Sequence, residues 1–271
     1  MAIIPPVYFD SVVSIGVRIN ATEIAWTGTG FFVGRSTGWE HRVYPFLISN
    51  KHVFRERETV VIRMKKKDKN ELQEVDVPLK NDDGSVRYYI HNQDDIDIAV
   101  LPLVAKSIEE KELEFPCFNI DDNAMTSHEL RENGADEGTI IYMLGFPMGL
   151  VNVASNMPIC RMGCIARMSE SQINEQHNML VDIQNFPGNS GSPIVTRPSN
   201  IHIKGTSSLS RCVLIGIVHS YIPYQEQLMN TQTKKIVEIR SENSGIANVH
   251  PVEYVREIID KIHPKVDQQQ A

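Results

Sequence analysis

A serine in a glycine-rich turn decides how this sequence is interpreted: the chain reads Pro187-Gly188-Asn189-Ser190-Gly191-Ser192-Pro193 between two apolar runs. In this serine turn, residues 187–193, glycine allows backbone conformations that a Cβ would forbid, so the hydroxyl can stand clear of the flanking strands. The N–H groups of Gly188 and Ser190 can then converge where an oxyanion would form. The alternative at this point is a hairpin turn without chemistry.

A serine nucleophile needs a base, and His52 is the candidate. It follows an apolar run in Leu47-Ile48-Ser49-Asn50-Lys51-His52, which predicts a position at the end of a strand. A second glycine-rich apolar stretch, residues 28–34, precedes that run. Because the chain has nine histidines, a purely structural histidine is the alternative.

The third candidate is Asp97, which directly precedes the apolar run 98–103. A carboxylate at the start of a strand can be half-buried, accept a hydrogen bond from an imidazole and fix its tautomer. Asp94 and Asp95 are its rivals, and both are expected in solvent. An acidic turn before a strand is also common in β proteins without any catalytic role.

The rest of the chain predicts an all-β fold with one terminal helix. Short β-branched or aromatic runs alternate with Gly, Asn, Asp and Pro, which is typical of barrels or sandwiches. The charged residues 107–114 and the polar segment 121–137 that follows predict a crossing between two β halves. Residues 251–262 begin with Pro251 and space their apolar residues as a helix does, which predicts a C-terminal amphipathic helix.

Composition limits the classes of partner. The net charge is −7, which argues against nucleic acid or an anionic membrane as the main partner. No window approaches the roughly 20 apolar residues that a membrane span needs. The start of the chain lacks the pattern of a secretory signal, and the cysteines have no C-x-x-C spacing, so we expect a cytoplasmic protein with buried free thiols. These cysteines are Cys117, Cys160, Cys164 and Cys212.

Together the three candidates resemble a known family. Their order and their contexts are similar to those of trypsin-like serine proteases and, among them, to the HtrA-type protease domain. The similarity extends over residues 11–262, nearly the whole chain. The segments that carry it are Ser-Asn-Lys-His-Val (49–53), Asp-Ile-Ala-Val-Leu (97–101), Leu-Gly-Phe-Pro-Met-Gly-Leu (144–150) and Gly-Asn-Ser-Gly-Ser-Pro (188–193).

The resemblance implies an all-β fold of two six-stranded antiparallel β-barrels of the chymotrypsin type with a C-terminal α-helix. The first barrel, residues 1–118, would carry His52 and Asp97. The second, residues 119–271, would carry Ser190 and the helix at about 251–262. The catalytic site would lie in the cleft between the barrels.

The resemblance also implies the roles of the site residues. His52, Asp97 and Ser190 would form a catalytic triad, and Gly188, Asn189 and Ser190 an oxyanion hole. The substrate pocket would include Gln184, Phe186 and His219. No metal or organic cofactor is implied.

The sequence departs from the family pattern at three places. Ser192 stands where the family usually has a second glycine. The chain ends soon after the helix, so no PDZ domain of about 90 residues is expected, since domains rarely have fewer than about 50. Asn189 is uncharged and cannot pair with a freed N-terminal amine, so activation of the digestive-zymogen type is not expected.

The function predicted from the sequence is a serine endopeptidase that cleaves protein or peptide substrates through an acyl-enzyme intermediate. The alternative is a catalytically silent or latent interaction module on a protease fold, activated by a regulatory protein partner. An α/β-hydrolase is excluded because that fold needs its serine before the aspartate and histidine. The polar segment 220–243 is expected to be a flexible loop near the cleft.

Overall fold

The computed structural model describes residues 3–39, 42–69, 71–152, 154–199 and 207–264. The first half of the chain forms one sheet of eight strands, in the spatial order β5-β4-β1-β2-β3-β7-β6 with β8 parallel to β2. All its other pairs are antiparallel. The strands are β1 (Val12–Arg18), β2 (Ile24–Ser36), β3 (Val43–Ser49), β4 (Thr59–Lys65), β5 (Leu72–Pro78), β6 (Tyr89–Ile90), β7 (Ala99–Pro102) and β8 (Phe118–Asn119).

This first sheet curls around its own core. Val75 of β5 and Leu101 of β7 lie near opposite ends of the strand order, yet both belong to one buried cluster with Ile15 and Ile62. Hydrogen bonding between the described residues does not close the sheet, whereas a closed barrel of six strands was predicted. The extra strands β6 and β8 have two residues each, too few for an apolar pattern to reveal them.

The second half of the chain forms a closed barrel of six antiparallel strands, in the order β10-β11-β14-β13-β12-β9. Its interior is filled by side chains such as Met143, Val181 and Val249. The predicted second barrel is therefore confirmed. The strands are β9 (Ile140–Gly145), β10 (Ile159–Arg167), β11 (Met179–Asp182), β12 (Pro193–Thr196), β13 (Leu214–Met229) and β14 (Ile236–Pro251).

The longest helix is the predicted C-terminal one. α6 (Val252–Ile262) begins directly after Pro251 and buries Val255, Ile258 and Ile259, which confirms the helical spacing. No helix of the described residues is long and apolar enough to cross a membrane. The shorter helices are α1 (Pro6–Asp10), α2 (Lys51–Phe54), α3 (Ala105–Glu110), α4 (Ser127–Glu132) and α5 (Glu170–Gln176), with a 3-10 turn at Pro147–Gly149.

The two halves share a buried apolar layer. Phe31 and Phe46 of the first sheet belong to the same cluster as Leu144 and Ile217 of the barrel and Val255 of α6. This layer holds the halves together and brings distant parts of the chain side by side. The chymotrypsin-type fold with a C-terminal helix is thereby confirmed.

The outer ends of β13 and β14 extend beyond the barrel as a hairpin arm, residues 221–242, whose residues are all exposed. The strands stay paired along it, from Pro223 opposite Asn243 to Met229 opposite Ile236. The prediction of a flexible loop at 220–243 was wrong. The polar composition of this segment suggested a loop, but the segment also contains residues that favour strands, such as Tyr224 and Ile239, and both lie on paired strands.

Candidate active site

The geometry of the predicted site begins with His52 and Asp97. His52 lies in α2, just beyond the end of β3, and its ring Nδ1 is 2.5 Å from Asp97 Oδ2. The backbone N–H of His52 donates to the other carboxylate oxygen, Oδ1, at 2.9 Å. One carboxylate therefore holds both the ring and the backbone of the same histidine. This arrangement fixes the orientation of the ring and keeps its proton on Nδ1.

Asp97 is itself held by backbone contacts just before β7. Asn50 Nδ2 donates to its carbonyl oxygen at 2.7 Å, and its own N–H donates to His250 Nε2 at 3.0 Å. Burial alone would raise the pKa of Asp97, but the hydrogen bonds from His52 outweigh it and hold that pKa below its ordinary value. The carboxylate is therefore ionised at neutral pH, as the partner of an imidazolium must be.

The two rival carboxylates lie elsewhere. The carbonyl oxygen of Asp94 accepts from Lys51 Nζ at 2.7 Å. Asp95 is exposed and pairs with His177, whose Nδ1 lies 2.5 Å from Asp95 Oδ2. The hydrogen bond from His177 lowers the pKa of Asp95. Among these three aspartates, Asp97 is the one that contacts His52.

Ser190 follows a tight turn whose conformation requires glycine. The N–H of Asn189 donates to Phe186 O at 3.1 Å, and Gly188, the third residue of this turn, has φ +95°. Proline second and a positive φ third are the marks of a type II turn. Within the described part of the chain, the N–H groups of Gly188 and Ser190 donate to no protein acceptor. Two unused donors beside the serine form the kind of site that binds an oxyanion.

Thr29 of β2 ties the serine turn to the first half. Its Oγ1 donates to Gly188 O at 2.7 Å, and its N–H donates to Ser190 O at 2.9 Å. Its own carbonyl oxygen accepts from Ser49 Oγ at 2.8 Å, three residues before His52. The segments that carry the serine and the histidine thus share one anchor. The sequence analysis missed this role of Thr29. The flanking glycines, Gly28 and Gly30, were the available signal, because other segments of the chain pack closely against them.

Gly28 shows how closely the serine and histidine segments pack. A Cβ on Gly28 would lie 2.8 Å from Val53, the neighbour of His52, and 3.6 Å from the carbonyl oxygen of Ser190. In the described residues no hydrogen bond joins Ser190 Oγ to His52 Nε2. Such bonds are often long in proteases without substrate and tighten when the substrate binds.

Asn189 and Ser192 are fully buried behind the turn. Neither the amide of Asn189 nor the hydroxyl of Ser192 has a hydrogen-bond partner among the described residues. Both lie against Gly145 of β9, where a Cβ would be 2.8 Å from Asn189 Oδ1 and would clash with Ser192 Oγ. The side chain of Asn189 therefore packs against β9, and the donors proposed for an oxyanion are the backbone N–H groups of Gly188 and Ser190.

The predicted pocket residues fall into two groups. Gln184 and Phe186 both lie in the segment that leads to the serine turn. Gln184 is exposed near Gly245, and the guanidinium of Arg161 lies over the ring of Phe186, 5.1 Å from its centroid. His219 instead stacks on His250, with ring centroids 3.9 Å apart. Burial and the neighbouring His250 lower the pKa of His219 to about 3. Its ring is therefore neutral at neutral pH.

The cysteines are the other candidate nucleophiles of the chain. All four cysteines are free, as expected, but only Cys212 is buried. Cys160 is exposed, and Cys117 and Cys164 are half-buried. Burial raises the pKa of Cys117 to about 11 and that of Cys212 to about 12, so neither is a nucleophile at neutral pH. The described residues contain no cluster of three His, Cys, Asp or Glu that could hold a metal ion.

The sequence matches one known protein family over more than half of its length. Residues 28–200 match the family described as the trypsin-like peptidase domain. A comparison with curated protein sequences gives no significant match.

Solved structures that resemble the chain include three proteases. The MamO protease domain from Magnetospirillum magneticum is 13% identical, with 93% of this chain and 97% of that chain covered and a TM-score of 0.49. The HtrA-type protease AlgW with a decapeptide is 14% identical, with coverages of 94% and 66% and a TM-score of 0.47. Vibrio cholerae VesB protease is 14% identical, with coverages of 94% and 64% and a TM-score of 0.50. The chain spans about two thirds of the AlgW and VesB chains. The likeness to VesB, at 14% identity, is a likeness of fold.

Proposed function

Because the chain belongs to the trypsin-like peptidase domain family, we propose that it is a serine endopeptidase with Ser190, His52 and Asp97 as its triad. The observation that carries the proposal is the double contact of the Asp97 carboxylate with the ring and backbone of His52. The two unused N–H donors beside Ser190 supply the second requirement, a place for an oxyanion.

The reaction is acyl transfer in two halves. As Ser190 Oγ attacks the peptide carbonyl, His52 Nε2 takes its proton, and the proton on Nδ1 stays in its hydrogen bond to Asp97. His52 then gives the Nε2 proton to the leaving amine as the C–N bond breaks, which leaves an acyl-enzyme on Ser190. A water molecule then attacks the acyl carbon while His52 Nε2 takes one of its protons. The bond between the acyl carbon and Ser190 Oγ breaks, the new carboxyl terminus leaves, and His52 returns the proton to Oγ.

The negative charge that develops on the carbonyl oxygen needs fixed donors. The N–H groups of Gly188 and Ser190 fill this role, and loss of one such donor costs about 3 kcal/mol of transition-state stabilisation in comparable enzymes. Thr29 holds the carbonyl oxygen of Gly188 and the backbone of Ser190, so the donors are set before substrate arrives.

Protein or peptide substrates follow from the reaction, and the mechanism uses no metal or cofactor. The neutral amide of Gln184 near the pocket disfavours a strong preference for Lys or Arg at the cleaved bond. We propose a cytoplasmic location from the sequence.

A second candidate function is a latent or silent protease-fold module that a partner protein activates. The described residues contain no hydrogen bond between Ser190 Oγ and His52 Nε2, and in this candidate the partner, rather than the substrate alone, would bring the two together.

A fluorophosphonate probe distinguishes the two, because it labels only an activated serine. We expect labelling of the wild type and of Ser171→Ala, an exposed serine in α5, and no labelling of Ser190→Ala. Cleavage of a peptide library should follow the same pattern, with a loss of about a million-fold in kcat for Ser190→Ala. Labelling that persists in Ser190→Ala would refute the assignment of the nucleophile. A wild type that neither labels nor cleaves would support the latent module.

A further inference from the structure

Two histidines of the second barrel bind the loop that carries the triad carboxylate. His250 lies in β14 and is 1% exposed, and His177 directly follows α5. Neither belongs to the triad, and no motif in the sequence marks them. Both contact the acidic loop Asp95–Asp97, which comes from the first half of the molecule.

Both ring nitrogens of His250 are engaged. Nε2 accepts the backbone N–H of Asp97 at 3.0 Å, and Nδ1 lies 2.6 Å from the carbonyl oxygen of His177. A carbonyl oxygen can only accept, so the proton of the neutral ring must be on Nδ1. His250 is therefore a neutral imidazole with one donor and one acceptor, both satisfied. Burial also lowers the pKa of His250, which keeps the ring neutral.

His177 completes the attachment. Its carbonyl oxygen accepts from His250, while its own ring binds the Asp95 carboxylate at 2.5 Å. The first half holds the same loop through Asn50, which donates to the carbonyl oxygen of Asp97, and through Lys51, which donates to that of Asp94. The loop is thus bound from both halves, and His250 is the contact from the second half that reaches Asp97.

We propose that His250 is a positioning residue for the triad: it holds the backbone of Asp97 from the second barrel, so that the carboxylate stays in place against His52. The barrel that carries Ser190 thereby also sets the position of the carboxylate in the other half. The inference rests on the proposed function, since it assigns His250 a part in that reaction. His250 acts through Asp97 and touches no reacting atom, so it is not a catalytic residue.

Three variants separate this role from simple packing. His250→Gln carries an amide oxygen near the position of Nε2, so it keeps an acceptor for Asp97. His250→Asn carries an amide N–H near the position of Nδ1, so it keeps the donor to His177 and loses the acceptor. His250→Phe keeps the ring and its stacking on His219 and loses both hydrogen bonds. His128→Phe, an exposed histidine in α4, is the control.

The first measurement is the rate of fluorophosphonate labelling and the kcat and KM for a peptide found in the library. We expect the Asn and Phe variants to lose about a hundredfold in kcat, as a catalytic group displaced by about 1 Å does, with KM little changed. The Gln variant should stay within a few-fold of wild type. If the Phe variant does not fold, the Asn and Gln pair decides. Equal rates for Asn, Gln and wild type would overturn the proposal.

The second measurement does not depend on activity. In the Ser190→Ala background, proton NMR follows the far-downfield resonance of the hydrogen bond between His52 and Asp97. We expect it to persist in His250→Gln and to shift or vanish in His250→Asn. If the wild type fails to label but the resonance responds in this way, the endopeptidase proposal fails and the positioning role stands. If the wild type labels and the resonance is unchanged in every variant, the positioning role fails alone.

Discussion

The inner and outer parts of β13 and β14 have the same pairing and opposite surroundings. Their inner parts form the barrel wall, bury Ile217 and Val249 completely and carry His219 and His250, of which His250 binds the backbone of Asp97. Their outer parts continue the same antiparallel ladder as the hairpin arm, where every residue is exposed. A two-stranded ribbon is only marginally stable by itself, so pairing alone does not explain the stability of this element. The comparison teaches that burial, not strand pairing, determines which part of the ribbon supports the fold and the site.

The largest effect should come from shortening a side chain in the inner part. Ile217→Ala empties a fully buried position and should lower the free energy of unfolding by about 2–5 kcal/mol. Leu228 lies on the same strand but in the arm, and it is 38% exposed. Leu228→Ala should therefore change the free energy of unfolding by less than about 0.5 kcal/mol. Urea denaturation measures both, and similar losses in the two variants would show that the arm is packed in solution.

A glycine comparison extends the contrast to the serine turn. Gly188 and Gly84 have φ +95° and +83°, but a Cβ on Gly188 would clash with Phe146 O, whereas a Cβ on Gly84 would meet nothing within 4 Å. Gly188→Ala should displace a donor of the oxyanion site and lower kcat by about a hundredfold to a thousandfold. Gly84→Ala should cost about 1–2 kcal/mol of stability because of its positive φ, with kcat unchanged. A Gly188→Ala variant with normal kcat would argue against this turn as the oxyanion site.

The half-buried His219 of the inner part should make the stability of the protein depend on pH. His219 has its pKa lowered from 6.5 to about 3 by burial, with His250, Asp97 and His52 as its charged or titratable neighbours. Between these values the unfolded chain binds a proton that the folded chain does not, so the free energy of unfolding falls as pH drops from about 6.5 to about 3. His219→Phe should make this fall shallower, as measured by urea denaturation at several pH values. His128→Phe, in an exposed helix, should leave the slope as in wild type.

The smallest effect should come from removing the arm. Replacing residues 226–240 by Asn-Gly, which suits a two-residue hairpin turn, joins Gln225 to its partner Ser241. We expect a change below about 1 kcal/mol in the free energy of unfolding, because no buried side chain is lost. The labelling rate of Ser190 should stay within about twofold. A large loss of labelling with stability preserved would mean that the arm acts on the cleft.

Much of the fold was predictable because its signals are local. The apolar spacing of residues 251–262 and the proline at their start predicted α6, and the chain order of His52, Asp97 and Ser190 predicted which half carries each. The first sheet was harder to predict, because its closure depends on pairing between distant strands. In addition, two of its strands have only two residues each. The hairpin arm was missed because its polar composition resembles a loop, while its strands are identified only by their partners.

The sequence by itself determined the fold class, the C-terminal helix and the candidate residues, since each depends on neighbours within a few positions. Tertiary structure alone decided what holds these residues in place. Thr29 meets Gly188 across 159 positions and His250 meets Asp97 across 153. A hydrogen bond between residues so far apart leaves no local pattern, because its geometry exists only after both halves of the molecule have packed together.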